Sequence, residues 1–159
     1  MVPASLRPRV RKSYIPLLLV LYSGALLYGT LEPFGFALHP GRDSMSGQRQ
    51  VEWIPFTHLC PIHGILCPTD TGLNILVFIP LGALAALIPR AGTGTMRRAA
   101  RAGLLGFTLS LLIETTQYFI PARFPGASDI VWNTLGTCLG ALLMTALLRI
   151  KMSNPGRPR

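Results

Sequence analysis

The segment at residues 111–130, LLIETTQYFIPARFPGASDI, holds charged and amide side chains at spacings that could support chemistry. Glu114 can serve as a general acid or base, and Gln117 lies three residues later, on the same face of a helix. Arg123 can bind an anionic group through its forked guanidinium, and Asp129 adds a second carboxylate. Glu114 and Asp129 are therefore candidate catalytic residues, and Gln117 and Arg123 are candidates for substrate binding.

Two asparagines extend this set of candidate substrate-binding residues. Asn133 lies four residues after Asp129, and Asn74 lies near the start of another apolar segment. Taken singly, Gln117, Asp129 and Asn133 have simple structural roles, as hydrogen-bonding partners between helices or as an acidic residue at a helix start. Glu114 differs, because an ionisable group within an apolar segment is costly and is by default a functional candidate. The six together favour one site.

The elements that must position these residues are predicted by composition. Half of the 159 residues are apolar, 13% are charged and the mean hydropathy is +0.44, whereas a soluble domain has roughly 25% charged residues. A helix of roughly 17 to 25 apolar residues crosses a membrane, and its backbone must be hydrogen-bonded internally. The sequence predicts an all-α polytopic membrane protein, a bundle of four transmembrane helices at about 15–31, 72–89, 102–120 and 129–148.

The distribution of basic residues predicts how these helices are oriented. Cations precede the first apolar segment, fill the connection between the second and third, and follow the fourth, whereas the other two connections are poor in them. The positive-inside rule then places both termini in the cytoplasm. We expect a basic N-terminus at 1–13, a membrane domain at 14–148 and a basic tail at 149–159. The first segment could be a signal peptide, but no convincing cleavage site follows it, so we expect a retained helix.

The net charge of +9 raises the question of nucleic-acid binding. The cations are not interleaved with aromatic residues, and they stand in small clusters between long apolar runs, so we expect no nucleic-acid partner. The expected partner is the lipid bilayer. A transporter is disfavoured, because polar residues at a single level of the bundle provide no pathway across it.

Small residues and one proline are predicted to shape the bundle. Gly136 and Gly140 are separated by one helical turn, as are Gly82 and Ala86. Such spacing lets helix backbones approach closely, and we expect it to serve packing within the bundle rather than dimerisation. Pro80 is predicted to kink the second helix. The oligomeric state remains open.

The long connection at residues 32–71 contains a second group of reactive side chains, His58, Cys60, His63 and Cys67. Their spacing is not a usual zinc pattern, so no metal site is predicted. A disulfide between Cys60 and Cys67 is possible in an oxidising compartment, with unpaired thiols or a metal as the alternatives. Cys138, within the fourth apolar segment, is expected to be an inert buried thiol.

Three blocks of sequence resemble the VanZ-like family of bacterial membrane proteins. The blocks are NILVFIPLG, IETTQ and RFPGASDIVWNTLGTCLG, with a looser resemblance at IPF, residues 54–56. The residues that match the family pattern are Asn74, Phe78, Pro80, Gly82, Glu114, Gln117, Arg123, Asp129, Asn133 and Gly136. The resemblance covers residues 72–143 and departs from the pattern at Gly126 and Ser128, where many members carry further acidic residues.

The resemblance implies a multi-pass protein of the bacterial plasma membrane, in a family named after teicoplanin resistance whose molecular activity is not established. We therefore expect the polar residues to act on or bind a cell-envelope lipid, a lipid-linked sugar or a glycopeptide. Whether the protein is an enzyme is left open. The alternative is a non-catalytic accessory or structural membrane protein whose polar residues hold the bundle together. No cofactor is expected, although a divalent cation at Asp129 remains an alternative.

Overall fold

A computed structural model of the protein describes residues 7–37, 51, 53–56, 68–88, 93–121 and 123–153. Within these ranges the protein is all-helical and contains no strand, as the sequence predicted. The four helices are α1 (Arg7–Leu31), α2 (Pro68–Leu87), α3 (Thr95–Gln117) and α4 (Ala127–Ser153).

The helices extend beyond the apolar segments that predicted them. α3 begins at Thr95 rather than 102, and α4 continues to Ser153 rather than 148, because arginine and lysine favour the helix as well as apolar residues do. α2 begins at Pro68 rather than 72, so the run PTDTG forms its first helical residues. Proline is well suited to a first helical position, where its missing N–H has no helical partner to lose. α3 ends at Gln117, three residues earlier than predicted.

α4 is the central helix and packs most extensively against α2 and α3, whereas α1 lies at the side of the bundle. A Cβ atom added at Gly140 or Gly136 would overlap the backbone carbonyl of Ile79 or Ile75 on α2. These two glycines therefore let α2 and α4 approach until their backbones touch. Gly82 makes the reciprocal approach from α2.

Pro80 lies inside α2 with its ring exposed on the outer surface, and the helix continues past it to Leu87. The buried core beside this position consists of Phe78 and Leu81 from α2, Leu109 and Ile113 from α3, and Leu26 from α1. α1 is also bonded to α2, because the hydroxyl of Tyr22 donates a 2.7 Å hydrogen bond to the carbonyl of Val77. The packing therefore fixes all four helices relative to one another.

Large apolar side chains cover the outside of the bundle. They are exposed on every helix, as at Leu17, Leu76, Leu112 and Leu143. Two helical segments are long and apolar enough to cross a membrane, Tyr14–Leu31 and Ala127–Lys151, each with a mean hydropathy of 1.6, and α2 contributes the shorter apolar segment Thr71–Leu87. By contrast, several of the buried residues are polar, namely Ser110, Glu114, Gln117, Ser128, Asn133, Thr137 and Thr145.

Candidate functional site

Polar side chains from several helices meet at one end of the bundle, where α1 and α3 terminate and α2 and α4 begin. We call this the polar end: the last turns of α1 and α3, the first turns of α2 and α4, and residues 118–126, described except at 122. All six candidate residues from the sequence lie there, namely Asn74, Glu114, Gln117, Arg123, Asp129 and Asn133.

Glu114 is buried in the last turn of α3, with 7% of its surface exposed. Its Oε2 accepts a 2.8 Å hydrogen bond from the backbone N–H of Gly126, just before α4. A carboxylate that accepts a backbone N–H is held in a fixed orientation, and the bond is stronger than one between neutral groups. Glu114 therefore joins the end of α3 to the start of α4.

Asp129 lies in the first turn of α4, where a negative charge interacts favourably with the helix dipole. Its Oδ1 accepts a 2.7 Å hydrogen bond from the side-chain amide of Asn74 on α2. This bond links the starts of two parallel helices at the level where Glu114 links α3 to the connection before α4.

Asn133 is placed one turn deeper in the bundle and is almost fully buried, with 3% of its surface exposed. Its Nδ2 donates a 2.8 Å hydrogen bond to the hydroxyl of Ser110, which is itself fully buried. Its Oδ1 is buried and has no hydrogen-bond donor among the residues that the structure describes. Leaving a buried acceptor without a donor costs roughly 1–3 kcal/mol, so this amide is unusually suited to accept a hydrogen bond from a bound molecule.

Gln117 and Arg123 bind the end of α1. The side-chain amide of Gln117 donates a 2.9 Å hydrogen bond to the carbonyl of Thr30. The guanidinium of Arg123 donates hydrogen bonds through Nε and Nη2 to the carbonyl of Glu32. The last carbonyls of a helix have no partner within the helix. The sequence located the site on the second to fourth helices and missed α1, because α1 contributes backbone atoms that no residue type reveals.

Ser128 lies in the first turn of α4, which begins one residue earlier, at Ala127. Its hydroxyl accepts a 2.8 Å hydrogen bond from the backbone N–H of Phe56. The ring of Phe56 packs edge-on against Trp132, with centroids 5.3 Å apart. Residues 53–56 are therefore attached to the first turns of α4. The aromatic residue Trp132 was missed by the sequence analysis, although it lies within the block VWNTLG.

Of the three cysteines, the structure describes Cys138. Cys60 and Cys67, with His58 and His63, lie outside the described residues. Cys138 is a free thiol that is half-buried rather than buried, and its sulfur lies 3.9 Å from the carbonyl of Ala99. In the ranges that the structure describes, no three His, Cys, Asp or Glu residues are grouped as a metal site would require.

Comparison with known proteins assigns the family. The family model of VanZ/LLP1 matches residues 19–149, which include α2 and α3, the second half of α1, most of α4 and every residue of the polar end described above. No curated protein and no solved structure shows a significant match to this chain. The match covers most of the chain and agrees with the resemblance found in the three sequence blocks. The chain belongs to the VanZ/LLP1 family.

Proposed function

We propose that the protein crosses the bacterial cell membrane with all four helices and that both termini lie in the cytoplasm. Contiguous apolar surface of this extent is rare on soluble monomers, and here apolar side chains are exposed on every helix. The internal glycine contacts and buried hydroxyl groups are typical of helix packing in lipid, where apolar burial between helices contributes little. These features support a bundle surrounded by lipid.

The same orientation places the polar end on the extracytoplasmic side. Basic residues lie at the opposite end of the bundle, where α3 begins and α4 terminates, as at Arg97, Arg101 and Arg149. Basic residues near membrane helices favour the cytoplasmic side. A ligand of the polar end would therefore come from the cell envelope.

We infer that the polar end binds the polar head of an envelope lipid, a lipid-linked sugar or a glycopeptide. The observation that carries this proposal is the buried Asn133 amide, whose Oδ1 has no donor in the described part of the chain. Sugars, ethanolamine and peptide groups all present the O–H or N–H donor that this oxygen requires. The neighbouring acceptors Glu114 and Asp129 are already oriented by Gly126 and Asn74, so the site is organised before a ligand arrives.

Catalysis at this site is a second candidate activity, carried by Glu114. A backbone N–H orients its carboxylate, and an oriented, buried carboxylate is a suitable acid or base when substrate lies within hydrogen-bond reach. No metal or other cofactor is part of this proposal. Binding is preferred, because it rests on the buried Asn133 acceptor, whereas catalysis also requires a substrate held within hydrogen-bond reach of Glu114.

A purely structural role is the third candidate, and a specific observation favours it. Hydrogen bonds from the polar end join α2 to α4, α3 to α4, and α3 to α1. Such bonds average about 0.6 kcal/mol in membrane bundles. If these contacts only hold the helices together, removing one should lower stability without removing any ligand.

The experiment is native mass spectrometry of the protein purified in mild detergent from envelope-rich membranes, with thermal unfolding measured in parallel. Asn133→Leu replaces the amide with an apolar side chain of the same number of non-hydrogen atoms. Thr145→Val is the matched control: it removes another buried hydrogen-bonding group of α4, whose hydroxyl donates to the carbonyl of Ala141 away from the polar end. We expect a co-purifying envelope lipid or glycopeptide in the wild type and the control, and at least a tenfold loss in Asn133→Leu with the unfolding temperature preserved.

Two results would contradict the binding proposal. The first is the absence of any co-purifying envelope molecule from the wild type. The second is an Asn133→Leu protein that keeps its ligand but unfolds at a lower temperature than the Thr145→Val control, which would assign the polar end to structure.

A further inference from the structure

The end of the bundle opposite the polar end has an open basin of about 790 Å³ between the start of α3 and the end of α4. Three arginines converge on it: Arg97 and Arg101 are one turn apart on α3, and Arg149 comes from α4. The backbone at Gly94 and Thr95, where α3 begins, completes the basin. Two separate helices thus direct positive charge at one concave surface.

No residue that the structure describes balances the charge of this basin. The three arginines form no ion pair and no hydrogen bond with any residue that the structure describes. The sequence contains no Asp or Glu at residues 1–31, 71–113 or 130–159. Like charges on neighbouring surfaces repel unless an anion lies between them. Neither the described residues nor an acidic side chain in these segments balances the basin, so an anion from outside the chain would.

The neighbouring Arg98 shows what a structural arginine at this end does. Its Nη1 donates a hydrogen bond to the carbonyl of Ala86 near the end of α2, and its Nε donates a 3.1 Å hydrogen bond to the carbonyl of Thr93. Arg98 thus satisfies carbonyls that the end of α2 and the following connection leave without helical partners. Membrane topology would be encoded equally well by arginines in any arrangement, so the convergence of the other three needs another reason.

The start of α3 adds a second preference for an anion. Gly94 caps this helix without any side-chain hydrogen bond, and the first turn contains no acidic residue. The first N–H groups of a helix favour an anionic oxygen. The hydroxyl of Thr95 is buried and has no hydrogen-bond partner among the described residues. Tetrahedral phosphate offers the acceptor oxygens that these donors and the guanidinium groups require.

The helix turns that form this basin also expose apolar side chains. Met96 lies on its rim with 78% of its surface exposed. On the adjoining turns of α4, Leu147 and Ile150 are each 59% exposed. A phosphate whose molecule also carries acyl chains would satisfy both surfaces, whereas free phosphate would leave the apolar one uncovered. Basic pockets between helices on the cytoplasmic side are suited to anionic lipid head groups.

We propose that this basin is a binding site for the phosphate of an anionic phospholipid of the cytoplasmic leaflet, held by Arg97, Arg101 and Arg149. The assignment to that leaflet rests on the orientation proposed above. The binding itself does not, because it is measured on detergent-solubilised protein with no sidedness. Binding here is also separate from the polar end, so either proposal can fail alone.

The test titrates the full-length protein in detergent with phosphatidylglycerol or phosphatidylcholine and counts bound lipids by native mass spectrometry. The variant R97Q/R101Q/R149Q removes three charges from the basin. The matched control K151Q/R157Q/R159Q removes three charges from the C-terminal residues that follow Arg149. We expect phosphatidylglycerol to bind the wild type at least tenfold more tightly than phosphatidylcholine, the basin variant to lose that preference, and the control to stay within twofold of the wild type.

Each other outcome overturns the proposal. Equal affinity for both lipids would show that the basin does not select an anionic lipid. An equal loss of phosphatidylglycerol affinity in the basin variant and the control would show that binding depends on net charge and not on this basin. Displacement of the lipid by millimolar inorganic phosphate, with phosphate binding on its own, assigns the basin to a free anion. Loss of phosphatidylglycerol in Asn133→Leu but not in the basin variant moves the lipid to the polar end. Thermal unfolding of each variant establishes that it is folded.

Discussion

The carboxylate of Glu114 and the backbone N–H of Gly126 are joined by a buried hydrogen bond of 2.8 Å. The bond spans the reversal between α3 and α4, so it fixes both the position of the carboxylate and the entry of the chain into α4. A glutamine at position 114 keeps the acceptor, whereas an alanine removes it and leaves the Gly126 N–H without this partner. The two substitutions therefore separate charge from geometry.

We expect Glu114→Gln to remain folded, with a change in unfolding free energy below about 1 kcal/mol, because the amide oxygen still accepts from Gly126. Glu114→Ala should destabilise the protein by about 2–4 kcal/mol through the unsatisfied N–H and the cavity. Thermal unfolding in detergent measures both. Retained ligand in folded Glu114→Gln supports binding, whereas a lost envelope phenotype with ligand still bound supports proton transfer by Glu114. Equal destabilisation by the two substitutions would contradict the assigned role of the hydrogen bond.

Gly140→Ala should destabilise the protein, because a Cβ at this position overlaps the carbonyl of Ile79 and forces α2 and α4 apart. Overpacking of this kind costs roughly 1–3 kcal/mol. Gly24→Ala is the matched control in α1, where the added Cβ has no neighbour within 4 Å beyond its own stretch of helix, and it should be neutral or slightly stabilising, since alanine favours a helix more than glycine does. Unfolding temperatures that fall equally in both proteins would argue against the close contact of α2 with α4.

Arg98→Met should lower the unfolding free energy by about 1.5–3 kcal/mol, because a charged donor to the carbonyls of Ala86 and Thr93 is lost. Methionine keeps the apolar stem. Arg97 is one residue earlier and exposed, so Arg97→Met should change the unfolding free energy by less than about 0.5 kcal/mol. Chemical denaturation in mixed micelles measures the difference. The prediction is wrong if the two variants are equally stable.

Arg123→Met should loosen the segment that follows α1, because the guanidinium donates two hydrogen bonds to the carbonyl of Glu32. We expect faster amide hydrogen exchange at residues 34–37, where the Ala37 N–H is bonded to the carbonyl of Phe119, and little change in the middle of α4. Arg101→Met, at the opposite end, is the control for loss of one charge. Unchanged exchange at 34–37 would show that Ala37 and Phe119 hold this segment without Arg123.

The sequence alone determined the helical class, the four helices and the family, because apolar runs of membrane length and three short blocks of residues are local signals. It also selected the residues of the polar end, since glutamate, asparagine and arginine near apolar runs are conspicuous by type. The starts of α2 and α3 lie before the predicted ones, because a helix can begin with a proline or with basic residues ahead of its apolar part.

Only the tertiary structure decided which atoms these residues meet. Glu114 binds a backbone N–H, Gln117 binds a carbonyl in the last turn of α1, and Arg123 binds the carbonyl of the residue that follows α1. Backbone partners carry no residue-type signal, so no pattern in the sequence could have indicated them. The same holds for the basin, because Arg149 is distant along the chain from Arg97 and reaches it only when α3 and α4 pack antiparallel. Spacing predicts neighbours along one helix, and packing decides neighbours between helices.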